Sequence, residues 1–356
     1  LAAFHGGATL SGGLLLIHPE SKVTTATPNA PTTTKFQGKD NVLVPNLSLT
    51  YQINNQLTLA FNTSVPLGLS TQYPAGAFSA LGTSSPTKTQ VEVVDFSPSL
   101  AFRVGANTAV AVGVDYYWVN KVAFNTASLA NEGDGTAWGW NISASHVVGP
   151  LSFGVSFRSH AKADIKGSES IGGLLFRTWA STALDIPWRA QVGIRYQVNP
   201  QLALEADVTR TGWSSFDVLR IQHGAIPSPP FPAIPNPITS HNHWKDVNAY
   251  RLGGTYQLTP DTELRLGYTF DKTGMPDSYF SARIADADRH LFSIGLEKQL
   301  GGGLAIEGGY MLVKFRDHTH AATGFTVAGE PNGSLLYNGK YKSTVHLFGI
   351  GVTKQF

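Results

Sequence analysis

Closely spaced histidines are the residues of this chain that most resemble metal ligands. They fall in three groups: His241 with His243, His318 with His320, and His290 near Asp286 and Asp288. Imidazole nitrogens and carboxylate oxygens bind zinc, but a histidine pair in a loop is more often solvated than ligating. No His-Glu-x-x-His, Walker or nucleophile-elbow motif occurs. We therefore expect no metal, no cofactor and no enzymatic activity; only a hydrolase assembled from distant Ser, His and acidic residues stays open.

The composition narrows the class of protein that carries these groups. The chain has 356 residues, of which 14% are charged and 42% hydrophobic, with 37 glycines, 20 prolines and no cysteine. The lack of cysteine excludes disulfides and thiolate metal sites. A formal charge of only +2, without a basic run, argues against a nucleic-acid partner. No apolar stretch is long enough for a transmembrane helix, and the start shows no signal peptide.

Apolar and polar residues alternate along many segments, most clearly through residues 182–198. Leu184, Ile186 and Ile194 fall on one face there, whereas Arg189 and Arg195 fall on the other. Side chains of a β-strand point alternately to opposite faces, so each such segment predicts a strand with one apolar and one polar surface. Fourteen strands are predicted, near residues 8–17, 42–53, 56–66, 90–104, 108–124, 137–148, 151–167, 180–198, 201–220, 247–258, 262–271, 288–300, 303–316 and 341–356.

The strands and their connections predict an all-β fold, a single antiparallel β-barrel domain over residues 1–356. An even number of strands lets such a barrel close with both termini on the same side. Short turns such as 149–150 and 199–200 alternate with longer connections, as in transmembrane barrels whose tight turns face the periplasm. The longer connections are 67–89, 125–136, 168–180, 221–246, 272–287 and 317–340. Within 221–246, segment 226–238 is proline-rich and is interpreted as a stiff external loop.

The orientation of the two faces separates a membrane barrel from a soluble one. In a soluble sandwich or lipocalin-like barrel, the apolar face points inward. Aromatic residues near both strand ends, opposite charges on the polar face and a last strand that finishes on Phe356 favour the inverted arrangement. Bacterial outer-membrane barrels typically end on such a strand, which the barrel-assembly machinery reads. We therefore expect outer-membrane lipid, lipopolysaccharide and that machinery as partners.

In this arrangement the charges of the polar face surround a lumen. The most prominent are Arg158, Arg189, Arg195, Glu205 and Arg265. They could line a polar conduit or form ion pairs that fill the wall. Because buried charges are tolerated only when paired, ion pairing is the interpretation we favour.

Motifs in the last third of the chain resemble the FadL/TodX family of outer-membrane channels for long-chain fatty acids and aromatic hydrocarbons. Residues 265–277 (RLGYTFDKTGMPD) and 283–289 (RIADADR) resemble the family's strand, turn and return motifs. Val44-Pro45-Asn46 and residues 212–216 (GWSSF) support the match, which covers nearly the whole chain. The resemblance implies a fourteen-stranded barrel that passes hydrophobic small molecules.

Two further features of the family can be compared with this sequence. Family members carry an N-terminal plug with an Asn-Pro-Ala motif, whereas here Pro28-Asn29-Ala30 has the wrong order and place. We therefore expect the plug to be absent from this chain. Members also release substrate sideways beside an inward kink in the third strand. Pro66 and Gly68 fall in that strand and predict a lateral opening, unless Pro66 merely ends the strand.

An apolar segment among the long connections is the predicted site of ligand capture. It contains Leu174, Leu175, Phe176 and Trp179. Exposed apolar groups of this kind need a reason, and the family uses this loop to take up ligand. Packing against segment 226–238 is the alternative, and both can hold.

The polar end of the ligand is less well specified. The resemblance places the family's carboxylate-binding positions at Asn125 and near His241 to His243, where neither lysine nor arginine stands. This favours a neutral aromatic or alkyl compound over a fatty acid, although Lys121 or Lys245 could substitute. The sequence thus predicts passive uptake of hydrophobic small molecules with lateral release; a nonselective porin or a structural or adhesin barrel is the alternative.

Overall fold

The computed structural model describes residues 6–27, 30–34, 41–74, 76–173, 175–231 and 233–356. They form a closed antiparallel barrel of fourteen strands, in which β14 pairs with β1 from Gln355↔Thr9 to Gly339↔Thr25. The strands are β1 (Ala8–Thr27), β2 (Val42–Asn54), β3 (Leu57–Gln72), β4 (Pro86–Arg103), β5 (Thr108–Thr126), β6 (Leu129–Val148), β7 (Leu151–Arg158 and Ala161–Ile171), β8 (Phe176–Ile186 and Arg189–Gln197), β9 (Leu202–Thr211), β10 (Val247–Thr259), β11 (Thr262–Asp271), β12 (Arg289–Gly301), β13 (Leu304–Phe315) and β14 (Gly339–Gln355).

Short strands and 3-10 helices lie at the end of the barrel that carries the long connections. The additional strands are Ala30–Thr34, Val218–His223, Ile238–His241 and His318–His320. The helices are short 3-10 segments at Ser79–Ser84, Trp213–Ser215, Asp277–Tyr279, Ala282–Ile284 and Leu335–Tyr337, of which the first is kinked at Gly82. None of the helices formed by the described residues has the length and apolar character needed to cross a membrane.

The polar face of the barrel points into the lumen. Arg158 on β7 contacts Asp95 on β4, across β5 and β6, and side chains can meet over that distance only on the concave side. On the convex side, Leu266 and Ile350 expose 54% and 68% of their surfaces. This confirms the predicted orientation, with apolar side chains towards lipid.

The faces exchange roles halfway along β7 and β8. Both strands break, β7 after Arg158 and β8 after Ile186, and their pairing resumes from Arg189↔Arg158 to Ile186↔Ala161. Arg158 and Ala161 both face inward although they are three residues apart, so the alternation is inverted across the break. The prediction that Leu184 and Ile186 share the lipid-facing side with Ile194 was therefore wrong, because it assumed one unbroken strand.

Two predicted connections are strands in the structure. β5 and β6 are joined by residues 127–128 instead of 125–136, and β7 and β8 by residues 172–175 instead of 168–180. Above the break the outward residues of β7 are Lys162, Asp164 and Lys166, all exposed. Apolar lipid-facing residues therefore do not alternate with polar lumen-facing residues there, which is why these segments resembled loops.

Candidate functional site: an apolar pocket in the upper lumen

The lower lumen is lined by ion pairs. Nη1 of Arg158 lies 2.7 Å from Oδ2 of Asp95 and 2.6 Å from Oδ1 of Asp115, and both carboxylates are buried. Ser97 and Asn141 donate hydrogen bonds to Asp115 as well. These contacts join four neighbouring strands, β4 to β7, into one network.

Three more of the predicted charges are paired, and one is not. Nη1 of Arg195 lies 3.4 Å from Oε2 of Glu205. Arg265 contacts three carboxylates, those of Glu263, Glu297 and Glu307. Arg189 lies opposite Arg158 in the strand register and so faces the lumen. Within the described residues its side chain makes neither an ion pair nor a hydrogen bond.

Above the ion pairs, the inner wall becomes apolar. The inner apolar cluster consists of Val93, Tyr117, Val119, Ala137, Ala161, Ala163, Ile165 and Ile186, with Leu67, Val91, Val122 and Leu184 packed against it. Its members come from β3 through β8, so it lies on the concave side. The inversion of β7 and β8 supplies Ala161, Ala163, Ile165 and Ile186 of this surface.

A pocket continues the cluster towards the outside. This upper pocket has about 280 Å³ of empty space, part of it open to solvent. It is lined by Val122, Phe124, Asn131, Glu132, Gly133, Ile165, Gly167, Ala180, Ser181, Thr182 and Ile221. Gly133 and Gly167 lie side by side in neighbouring strands, and a Cβ on Gly167 would approach the Glu132 carbonyl oxygen to 1.9 Å. Close approach of the two backbones therefore requires glycine at this point of the pocket wall.

A buried polar corner adjoins the pocket. Asn131 of the pocket lining pairs across the strands with Glu169, which has no exposed surface. Both carboxyl oxygens of Glu169 and both side-chain amide atoms of Asn131 lack a hydrogen bond of standard geometry. Nδ1 of His223 lies 3.8 Å from Glu169, and its two ring nitrogens lie 2.9 and 3.1 Å from carbonyl oxygens. Burial raises the pKa of the Glu169 carboxyl, and the nearby imidazole opposes this.

The external connections fold over the barrel as an extracellular cap. Its buried core is formed by Val23, Tyr73, Ala77, Phe78, Trp244, Met275, Phe280, Ala282, Tyr337 and Tyr341. Arg283 anchors the cap to the wall: Nη1 donates to the Asn125 carbonyl oxygen at 3.0 Å and to Thr89 at 3.4 Å. Its guanidinium lies 3.7 Å above the ring centre of Phe124, a pocket residue.

The predicted capture segment is a hairpin tip rather than a loop. Leu175 and Trp179 expose 80% and 57% of their surfaces, whereas Phe176 packs on Phe231 with ring centres 5.5 Å apart. Exposure and packing against the proline-rich segment therefore occur together. Leu174 lies outside the described residues. The Asn125 side chain accepts a hydrogen bond from the Asn131 backbone and is used within its own hairpin.

The predicted kink coincides with an irregularity of β3. The strand continues beyond Pro66 to Gln72, and its register against β4 shifts between Ser64 and Leu67. Pro66 therefore does not end the strand. On its other edge, β3 pairs with β2 only as far as Ser48↔Asn62. Gly68 lies just above the shift.

Sequence reasoning missed the pocket residues Phe124 and Asn131 and the adjoining Glu169. Two of them were assigned to loops, and Phe124 to a strand end without neighbours, so their facing directions were unknown. One signal was present: Ala161, Ala163 and Ile165 alternate with charged residues. That pattern predicts an inward apolar face once the outward face is allowed to meet water.

Comparison with known proteins gives matches along the whole chain. A family model described as outer membrane protein transport protein (OMPP1/FadL/TodX) matches residues 1–356. The chain is 23% identical over 329 residues to a long-chain fatty acid transport protein of Salmonella typhi, which covers 81% of this chain and 73% of that protein. It is 20% identical over 363 residues to outer membrane protein P1 of Haemophilus influenzae, which covers 88% and 75%.

Solved structures share the barrel. A FadL homologue of Pseudomonas aeruginosa superposes with a TM-score of 0.79 at 19% identity, covering 100% of this chain and 92% of that one. The toluene transporter TbuX of Ralstonia pickettii gives 0.70 at 16% identity, covering 100% and 91%. At these identities the likeness shows the fold alone. Since the family model spans every residue, the chain belongs to the FadL/TodX family of outer-membrane transport proteins for hydrophobic compounds.

Proposed function

We propose that this barrel takes up small neutral hydrophobic molecules, such as alkylated aromatics, and releases them sideways through its wall. The observation that carries the proposal is the continuity of the inner surface. Ile165 belongs to both the upper pocket and the inner apolar cluster, Val122 lines the pocket and packs on the cluster, and Leu67 packs on the cluster beside Pro66. An apolar molecule leaves water at the pocket and meets apolar contacts as far as the shifted strand.

The charges around the pocket favour a neutral ligand. Its lining residues include no lysine, arginine or histidine, and the Arg283 guanidinium lies behind the Phe124 ring. A carboxylate in this pocket would lose water without gaining a cation. The toluene transporters among the similar folds support the aromatic class, whereas the relatives named as fatty acid transporters support a longer chain.

Capture and exit are assigned to the two ends of this surface. Leu175 and Trp179 offer an exposed apolar landing site above the pocket. At the other end, β2 stops pairing with β3 above Ser48↔Asn62, and the bulge at Pro66 bends the strand there. Val93 and Val119 are fully buried, so the cluster must part for a ligand to pass.

Uptake into liposomes whose outer leaflet consists of lipopolysaccharide tests the proposal, because toluene crosses a bare lipid bilayer without a channel. Purified barrel should admit toluene faster than oleate and should not admit a small sugar. Ile165→Asp places a charge in the pocket and should slow toluene uptake at least about tenfold, because an unpaired buried charge costs more than about 1.4 kcal/mol. Lys166→Asp is the matched control, because that residue points outward on the same strand. Equal passage of all three solutes would instead indicate a nonselective pore.

We also propose two contacts outside the lumen. Phe348 and Ile350 lie exposed on the outer face of β14, and the exposed Phe356 directly follows this strand, which supports its recognition by the barrel-assembly machinery. Lys162 and Lys166 point outward above the lipid-facing part of β7, where the phosphates of lipopolysaccharide would meet them.

A further inference from the structure

We propose that Asp277, His318 and His320 form a binding site for a divalent transition metal, such as Zn²⁺, in the extracellular cap. Oδ1 of Asp277 lies 3.1 Å from Nε2 of His318 and 3.2 Å from Nδ1 of His320. The three ligand atoms all lie within 4.8 Å of one another. Around a tetrahedral zinc with bonds of about 2.0–2.1 Å, neighbouring ligand atoms are about 3.3 Å apart. The distances from Asp277 to each histidine therefore match a zinc shell, and the two histidine nitrogens lie within 4.8 Å of each other.

The hydrogen bonding points one nitrogen of His320 at Asp277. Nε2 of His320 donates to the Ser334 carbonyl oxygen at 3.1 Å, and Nδ1 lies 3.2 Å from Oδ1 of Asp277. In the neutral imidazole Nδ1 then carries the lone pair, and a metal between Nδ1 and Oδ1 would take the place of this contact. This is how a second hydrogen bond orients a metal-bound histidine. Nε2 of His318 is buried and has no hydrogen bond of standard geometry, although it lies beside Asp277.

The surroundings hold the ligands in place. His318 and His320 are two residues apart in one strand, so both rings leave its same face. Phe280 stacks on both rings, with centroid distances of 4.6 and 4.8 Å. His320 is buried, whereas Asp277 is largely exposed and leaves the remaining position open to water. A metal would thus tie the turn at Asp277 to the strand His318–His320 within the cap.

The other histidine pair has the same spacing without the convergence. His241 lies 2.7 Å from Glu330, and His243 pairs with a different carboxylate, that of Asp217. Within the described residues only the Asp277 group brings three ligand atoms together. Residues 241 and 243 are therefore a control on the same protein for adventitious histidine binding.

Titration of the metal-stripped barrel in detergent with Co²⁺ and Zn²⁺ tests the site. We expect one Co²⁺ per chain with visible bands of a tetrahedral N/O site, displaced by Zn²⁺. Asp277→Asn and His318→Ala should each weaken binding at least about tenfold. Removal of a direct ligand costs more affinity than removal of a group that supports a ligand, which typically lowers affinity about 10–100-fold. His243→Ala should not weaken binding. Because Asp277 is exposed, its substitution should leave the barrel folded, as heat-modifiable migration in SDS gels would show. Absence of binding, or equal losses in all three variants, would overturn the proposal.

Discussion

Arg189 is the inward-facing arginine without an ion pair in the described part of the lumen, so it is the cation most available to an anionic solute. Its replacement, Arg189→Gln, should slow uptake of decanoate at least about tenfold, the effect of one lost hydrogen bond to a charged group. Toluene uptake should stay unchanged. Arg316→Gln, at an exposed loop position, serves as the control. Equal slowing of decanoate and toluene uptake would instead show that Arg189 stabilises the barrel wall and does not bind the solute.

Glu169 should make the stability of the cap end depend on pH. Burial raises the pKa of its carboxyl in the folded state. A raised pKa contributes stability below the pKa of the unfolded chain, and this contribution is lost as pH rises through the folded value. Glu169→Gln has no such dependence, so its stability relative to the parent should increase from pH 4 to pH 8. Guanidinium unfolding in detergent would measure this, with exposed Glu132→Gln as control; a constant difference would contradict it.

Single residues differ in how far the sequence could place them. Arg158, Arg195 and Arg265 were predicted as lumen charges from the alternation of apolar and polar residues alone, because this alternation holds within an unbroken strand. Glu169 and Asn131 were not recognised, because nothing in a polar stretch such as residues 131–136 tells which side faces inward. The metal ligands were noticed as a spaced pair, but their convergence on Asp277 depends on folded loops.

At the scale of elements, the bulge in β3 is the feature most open to a direct test. Strand pairing with β4 runs one residue out of step above Ser64. Deletion of Pro66 removes the extra residue and restores a backbone donor, so β3 should run straight against its neighbour. Toluene uptake should fall to the liposome background. Deletion of Gly105, in the turn between β4 and β5, is the control; unimpaired uptake without Pro66 would exclude release at this place.

Strands in contact with lipid were predictable, and strands above it were not. Where a strand lies between lipid and lumen, alternate positions separate apolar from charged residues. The predicted bounds of β10, β11 and β13 accordingly lie within about two residues of those observed. Above the lipid, β5 and β6 extend through residues that carry no such contrast. The break in β7 and β8 also escaped notice, since Pro187-Trp188 keeps the alternation of residue types while the backbone reverses the faces.

For the whole molecule, closure depends on the last strand. β14 pairs with both β13 and β1, and Phe356 exposes 75% of its surface at the end of the chain. Phe356→Ser should slow assembly in cells several-fold while the finished barrel remains as stable as the parent, because an exposed ring adds little to the fold. Pulse-chase labelling with heat-modifiable migration measures the rate. Ile306→Ser, an exposed site on β13, is the control; equal delay in both would assign the effect to lipid contact.

The length of β6 has a consequence for where solutes leave water. Its 20 residues rise about 3.3 Å each, so the strand measures about 66 Å, or about 50 Å along the membrane normal at a tilt of about 40°. The lipid-facing band takes up only about 25 Å of this height. The upper half of β6 therefore lies above the lipid, at the height of the sugar chains of the cell surface. On the proposed uptake route, a hydrophobic solute would leave water at the top of the barrel and descend inside it, without dissolving in a surrounding saccharide layer.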